Sequence, residues 1–296
     1  MDQKTEINLL ELVKRNYEEI AADFDMTRKN CVWPELAKLA ELVKDGDRVL
    51  DVGCGNGRLL RALTGKSIEY LGVDSSSELI EMARKNFPPF AKATEDKQFS
   101  IFPPKADQPG AGNFQSISNF SAQGGPAWGW QFSNKPNQST VGQNSKFILG
   151  NILELDKIQE KDFDYVFCVA VLHHLPGENL RVEAIKQMKS KISAQGGSAS
   201  GRKPGGKIIL TVWNLWNQAK FRKLIFKFAF LKMFGKNRMD CGDILFNWKN
   251  KKGAEASRRY YHAFTKRELK KTAVKAGLKV DKLYKDENNY YLVLEN

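Results

Sequence analysis

Arg48-Val49-Leu50-Asp51-Val52 is a short apolar run that passes directly into Gly53-Cys54-Gly55-Asn56-Gly57. No other stretch restricts the fold as strongly. Glycines at alternate positions after a buried strand allow a sharp turn into a helix and keep side chains out of the space between the backbone and a ligand. The spacing G-x-G-x-G departs from the dinucleotide fingerprint G-x-G-x-x-G, and an acid, Asp51, stands two residues before the first glycine. A helix through Leu59, Leu60 and Leu63 follows, then a second strand over 68–74 that ends on Asp74, where it can reach ribose hydroxyls. Serines at 75–77 can cap the next helix. Strand, helix, strand, helix in this order predicts a parallel sheet.

The remaining pattern extends that sheet. Helices are predicted over 6–24 and over 34–44, the second opened by Pro34, a favoured first helical position. Further strands are predicted at 147–149, 163–169 and 206–213, and helices near 178–192, 216–234 and 265–276, the last closed by Gly277. Two strand-like runs, 278–285 and 290–295, form a hairpin around Glu287-Asn288-Asn289. The expected fold is therefore α/β: a mostly parallel seven-stranded sheet with helices on both faces and a C-terminal antiparallel hairpin, in one domain over 1–296. Two stretches break the rhythm. Residues 88–146 are rich in Gly, Pro, Ser, Asn and Gln and are expected to be an irregular or mobile insertion before the third strand, and 193–205 is a shorter Gly/Ser-rich insertion.

Charge separates the chain into two parts. The net +13 of the 296 residues is concentrated in 202–285, where 23 Lys and Arg face 5 Asp and Glu. Such a basic third beside a mildly acidic body fits a catalytic unit with a polyanion-binding surface. A solvated lysine-rich face is the plain alternative. The segment 216–234 places Phe221, Leu224, Ile225 and Phe228 on one helical face and Lys220, Lys223 and Lys227 on another, beside Phe226 and Phe230. A basic amphipathic helix of this kind serves RNA phosphate, an anionic membrane or the protein's own core, and 214–259 is expected to be a basic lid or substrate-binding insertion. Cys31, Cys54, Cys168 and Cys241 are far apart and form no CxxC pair, a pattern that suits a reducing cytosol and offers neither a disulfide framework nor a metal site. No apolar run approaches the ~20 residues of a spanning helix, and the N-terminus shows no secretory signal, so a cytoplasmic location is expected.

The conjunction of strand, Asp51, three glycines, Asp74 and a later Lys203-Pro204-Gly205-Gly206 before a strand resembles class I methyltransferases that use S-adenosylmethionine. That resemblance covers 47–87 and 146–296. It implies a Rossmann-like fold and a cofactor site of Tyr17, Asp51, Gly53, Cys54, Gly55, Gly57 and Asp74. Asn151, in Phe147-Ile148-Leu149-Gly150-Asn151, falls where the family often has an aspartate near the adenine amine.

Within that class, Thr27-Arg28, Trp33-Pro34, Leu172-His173-His174, Val212-Trp213 and Arg259-Tyr260-Tyr261-His262 resemble the tRNA wobble-uridine carboxymethyl methyltransferases, which include the methyltransferase domain of the eukaryotic AlkB-homologue tRNA enzyme. The resemblance implies methylation of the carboxylate of 5-carboxymethyluridine, with tRNA as substrate. Arg28, His173, His174 and His262 are then the catalytic-site candidates, as groups that position a carboxylate already ionised near neutral pH. Trp33, Trp213, Arg259, Tyr260 and Tyr261 are the substrate-binding candidates, and no metal is called for. The plain alternatives are a surface cation for Arg28, a packed strand end for His173 or His174, and core and lid aromatics for Tyr260 and Tyr261. Eukaryotic members of the family work with a small zinc-binding activator protein that covers the domain near its third strand, so such a partner is implied. Methylation of a small molecule, lipid or quinone precursor at a membrane surface, and a non-catalytic RNA-binding scaffold, are the alternative functions.

Overall fold

The computed structural model describes residues 1–28, 32–88, 144–194, 205–249 and 255–296. The stretches expected to be insertions, 88–146 and 193–205, fall outside the described residues except at their edges.

The long N-terminal helix α1 spans Gln3–Arg28, and α2 spans Pro34–Ala40. The alternating β and α elements that follow are β1 (Arg48–Val52), α3 (Arg58–Ala62), β2 (Glu69–Asp74), α4 (Ser77–Asn86), β3 (Ser145–Leu149) and β4 (Tyr165–Val169). Next come α5 (Glu178–Lys189), β5 (Lys207–Trp213) and α6 (Ala219–Met233). The chain closes with β6 (Asp243–Lys249), β7 (Glu255–His262), α7 (Lys266–Lys275), β8 (Lys279–Lys285) and β9 (Asn289–Glu295).

Seven strands form one sheet in the order β3-β2-β1-β4-β5-β9-β8. Neighbours from β3 through β5 pair in parallel, while β9 runs antiparallel to both β5 and β8. The expected seven-stranded sheet and its terminal hairpin are both present. Chain order reverses between β1 and β4, and ligands of open α/β sheets bind in the crevice above such a switch point, beyond the carboxyl ends of the strands.

Side-chain alternation builds a core on each face of the sheet. Leu50, Val52, Val166, Cys168, Ile208 and Leu210 face α5 and α7, where Ile185, Met188, Leu269 and Ala273 meet them. Val49, Tyr70, Phe167, Ile209 and Tyr291 face the other way, toward Leu36, Leu59 and Ile80 of α2, α3 and α4. The helices start and stop where local chemistry directs. Ser76 accepts the Leu79 N–H at the start of α4, Thr265 accepts the Glu268 N–H at the start of α7, and Gly277 follows α7 at φ +76°.

One element departs from expectation. The hairpin β6–β7 forms a separate two-stranded sheet inside the stretch expected to be a lid. Its apolar residues do not alternate with polar ones, because both faces are covered: Ile244 packs with Phe221 and Tyr261, and Leu245 with Tyr260 and Met239. Burial on two sides removes the period-two signal by which a strand is read.

Phe167 is fully buried at the centre of the sheet. Phe167→Ala is expected to cost about 3–5 kcal/mol. Urea unfolding should show this as a lower midpoint with an unchanged slope.

Candidate functional site

The turn after β1 lies at the switch point. Gly53, Gly55 and Gly57 adopt φ of +73°, +56° and +81°, the left-handed region that glycine enters without penalty. Gly53 and Cys54 donate their N–H groups to the Val73 carbonyl at 2.7 and 3.0 Å, which ties the turn to β2. A Cβ on Gly53 would stand 2.3 Å from Cγ2 of Val171, in the loop after β4. At Gly55 a Cβ would meet the Phe24 ring of α1 at 3.3 Å. The turn is thus closed in by the β4 loop and by α1, and Cys54 is buried within it.

Two carboxylates flank the turn. Asp74 accepts the Gly55 N–H at 2.8 Å through one oxygen and the Ser76 N–H at 2.9 Å through the other, and burial raises its pKa. Asp51 accepts the Tyr70 hydroxyl at 2.7 Å, while its second oxygen is buried without a partner among the described residues. Burial raises the Asp51 pKa to about 7. A buried acceptor without a partner among the described residues, beside a glycine turn, fits a ligand with an ammonium group, such as the amino-acid end of S-adenosylmethionine. Asn151 lies after β3, exposed, with its side-chain oxygen accepting the Leu153 N–H at 3.0 Å.

The end of α1 fastens to this turn through a residue that sequence reasoning passed over. One oxygen of Asp25 accepts from the side-chain amides of Asn56 at 2.9 Å and Asn86 at 2.8 Å. The sequence signal was there, in the Phe24-Asp25-Met26-Thr27-Arg28 run, but nothing marked which polar groups Asp25 would join. The Arg28 guanidinium sits over the Phe24 ring, 4.7 Å from its centroid, and donates to the Thr27 hydroxyl at 3.1 Å.

Above the ends of β4 and β5 the structure gathers several candidates into one aromatic cluster. The His173 ring centroid lies 4.4 Å from His174, 5.0 Å from Trp213 and 5.5 Å from Tyr261. Phe246 of β6, not anticipated from sequence, stacks on Tyr261 at 5.2 Å. His174 is fixed on both sides, since its Nε2 meets the Tyr17 hydroxyl at 2.7 Å and the Tyr260 carbonyl takes its other N–H. Burial, and then the nearby Arg259, pull the His174 pKa down to about 3, so the ring is neutral. His173 is fully buried, and neither ring nitrogen has a hydrogen-bond partner among the described residues. Burial, reinforced by the neighbouring histidines, holds its pKa well below the usual value.

Strand alternation divides the Arg259-Tyr260-Tyr261-His262 motif. Arg259 and Tyr261 belong to the His174 side, whereas Tyr260 and His262 turn to the other face. There Tyr260 donates to Asp243 at 2.8 Å, and His262 bridges Asp243 at 2.6 Å and Glu268 at 2.7 Å, with the buried Arg181 within 3.9 Å of both acids. Trp33 is also placed apart from the cluster. It is buried against the sheet, donating its indole N–H to the Tyr291 hydroxyl at 3.1 Å.

Comparison with known proteins agrees with this geometry. The model of a family described as "Methyltransferase domain" matches residues 24–283. The tRNA (carboxymethyluridine(34)-5-O)-methyltransferase ALKBH8 of Macaca fascicularis is 26% identical over 68% of this chain and 32% of its own length. The chain spans about a third of the length of the curated relatives it matches most broadly. Among solved structures, an S-adenosylmethionine-dependent methyltransferase of Methanosarcina mazei superposes with a TM-score of 0.57 at 18% identity, covering 90% of this chain and 98% of that one. A complex of the Haloferax volcanii Trm112 methyltransferase activator with a putative methyltransferase gives 0.50 at 14% identity, covering 96% of each chain.

The fold is that of a class I methyltransferase. The chain belongs to the methyltransferase domain family, and S-adenosylmethionine is its cofactor.

Two outcomes are expected. Gly55→Val places a branched side chain against Phe24, and Asp74→Ala removes the acceptor that holds the Gly55 N–H. Calorimetry should show each weakening S-adenosylmethionine binding at least tenfold in folded protein, with no measurable NAD binding by the wild type. The ion network makes a separate prediction. Burial would lower the His262 pKa, but Asp243 and Glu268 outweigh it and the pKa is raised above 6.5. A raised folded pKa gives stability that is complete below the unfolded value, about 6.5, and is lost as pH rises through the folded one. His262→Gln should therefore lower Tm most below about pH 6.5, with the deficit shrinking toward alkaline pH.

Proposed function

We propose that the chain methylates the carboxylate of 5-carboxymethyluridine at the wobble position of tRNA. The observation that carries this reading is His173, a neutral, fully buried imidazole whose two nitrogens have no partner among the described residues, beside Trp213 and Tyr261 and two residues from Val171, which lies against the glycine turn. When bound, S-adenosylmethionine supplies an electrophilic methyl group on sulfur. The acceptor carboxylate is already ionised, with a reference pKa of about 4, so no general base is needed. What the chain must provide is alignment in a site that excludes water.

A neutral imidazole suits that task. It donates one hydrogen bond to a carboxylate oxygen without forming the ion pair that would hold the nucleophile's charge more tightly. Positive charge comes from farther out, from Arg28 on α1 and Arg259 on β7. Trp213, which is only partly buried, offers its ring to the uracil, as splayed RNA bases require, with Tyr261 packed behind it under Phe246. Tyr17, Asp51, Cys54, Asp74 and the three glycines would hold the cofactor, with Asn151 the residue that would serve its adenine end. Trp33, Tyr260 and His262 support this arrangement from the packed interior.

In the same reading 214–259, which carries Phe246 against Tyr261, is the substrate lid. Basic groups of 202–285 outside α6 serve the tRNA phosphates. A small zinc-binding activator docks along β3, an edge strand among the described residues whose Leu149 is 61% exposed. The names of the relative and of the activator complex support both parts of this reading.

Purified protein, with and without a zinc-binding activator, is expected to convert tRNA bearing 5-carboxymethyluridine into an alkali-labile methyl product, because an ester hydrolyses in mild base and a methyl on carbon or ring nitrogen does not. His173→Phe keeps the ring and removes the donor, so it should lower kcat/KM by about 10–100-fold, the worth of a hydrogen bond to a charged group, while cofactor affinity is retained. Arg28→Ala should slow transfer more than it weakens cofactor binding. An alkali-stable product, or equal methylation of tRNA lacking the carboxymethyl group, would overturn the substrate assignment.

A further inference from the structure

Helix α6 buries one side and exposes an unusual other. Phe221 and Ile225 are buried against β6 and β7, which fixes the orientation of the helix. On the opposite side Phe226, Phe230, Met233 and Phe234 are 63%, 59%, 73% and 59% exposed. Their spacing of i, i+4, i+7 and i+8 makes a continuous apolar stripe along the helix. Solvent-exposed basic groups border it: Lys223 and Lys227 form one flank, Arg222 opens the other, and Lys236 follows the C-terminal end. Between 219 and 239 there are seven basic residues and no acidic one.

We infer that this face of α6 rests on an anionic lipid bilayer, with the Phe226, Phe230, Met233 and Phe234 side chains entering the headgroup boundary and the flanking lysines and arginine meeting lipid phosphates. Charge selects this occupant over a second copy of the chain, whose identical basic flanks would repel. Ring geometry selects it over RNA. The Phe230 and Phe234 rings lean on each other at 4.7 Å with a 54° tilt, and Phe226 is near-perpendicular to Trp216 at 79°, so these rings do not form a parallel ladder for successive bases. Met233, the most exposed of the four, has no stacking face at all. A bilayer boundary accepts all four side chains without any such geometric demand, while long basic side chains extend to its charged surface. The helix would lie on the membrane and not across it: its 15 residues are too short, and among the described residues no helix is long and apolar enough to span. This contact lies outside the methyl-transfer site and does not depend on which substrate that site takes.

The test is co-sedimentation of the full-length protein with phosphatidylcholine vesicles that contain or lack phosphatidylglycerol. Binding is expected only with phosphatidylglycerol, weakening as salt rises. The triple variant Phe226→Ser, Phe230→Ser, Phe234→Ser should bind at least tenfold more weakly with S-adenosylmethionine affinity unchanged. Phe230→Trp, which leaves the packed side of the helix untouched, should shift its emission to the blue on the anionic vesicles. No vesicle binding, equal binding to neutral vesicles, an unshifted Phe230→Trp, or a triple variant that keeps vesicle affinity while losing tRNA affinity would each overturn the inference, the last by assigning the face to RNA. Failure here leaves tRNA methylation measured without vesicles unaffected, and failure of that reaction leaves vesicle binding to be read independently.

Discussion

The contact between Gly53 and Val171 sets the geometry of the whole site. Gly53 has no side chain, and Val171 occupies the space one would need, at 2.3 Å from a Cβ position. Because of that closeness the loop after β4 lies directly against the turn after β1, and the two residues that follow Leu172 are the paired histidines. The loop is held from the other side as well. Ala170 adopts φ +60°, uncommon for a residue with a side chain, and its N–H is shared between the carbonyl and hydroxyl of Thr211 on β5, each at 3.0 Å. A methyl added to the glycine would push the two loops apart and carry His173 away from the cofactor turn.

Two environments then develop on either side of β7. Toward the site, burial keeps His173 and His174 neutral. On the far side, Asp243 and Glu268 raise the His262 pKa against its burial, and Arg181 lies within 3.9 Å of both acids. A buried ion network of this kind adds little net stability over an apolar core, yet removing one member leaves an uncompensated charge at a cost of about 3–5 kcal/mol. Its effect is to fix how β6–β7 seats on α5 and α7. The same seating fixes the height of Tyr261 above His173.

Much of this was legible in the sequence, for physical reasons that differ between elements. The Val49 to Gly57 run was readable because a buried parallel strand is apolar throughout and only glycine enters the left-handed turn that follows it. The terminal hairpin and the α4 and α7 caps were readable because their signals are local. The β6–β7 sheet was not, since burial on both faces erased its alternation. Nor could sequence spacing separate the residues of the Arg259 to His262 motif. Only strand register shows that Arg259 and Tyr261 share a side with His174 while Tyr260 and His262 do not. Asp25 stayed hidden because its two amide partners, Asn56 and Asn86, come from separate parts of the chain.

Asp25 also bears on how the site is covered. Its bonds tie the end of α1 to the turn at Asn56 and to the end of α4 at Asn86, and Tyr17, two turns earlier, ties α1 to His174. One helix therefore touches both the glycine turn and the histidine pair. Phe24 closes the gap between those anchors by lying over Gly55. On the proposed reading, a helix fastened at both points excludes water from the methyl-transfer line while Arg28, just beyond its last anchor, remains at the rim. On the proposed reading this separates two tasks: the neutral interior sets the direction of the carboxylate, and the charged rim draws it in. A cation placed inside would bind the carboxylate in the ground state as strongly as during transfer, and binding both states equally does not speed the chemical step.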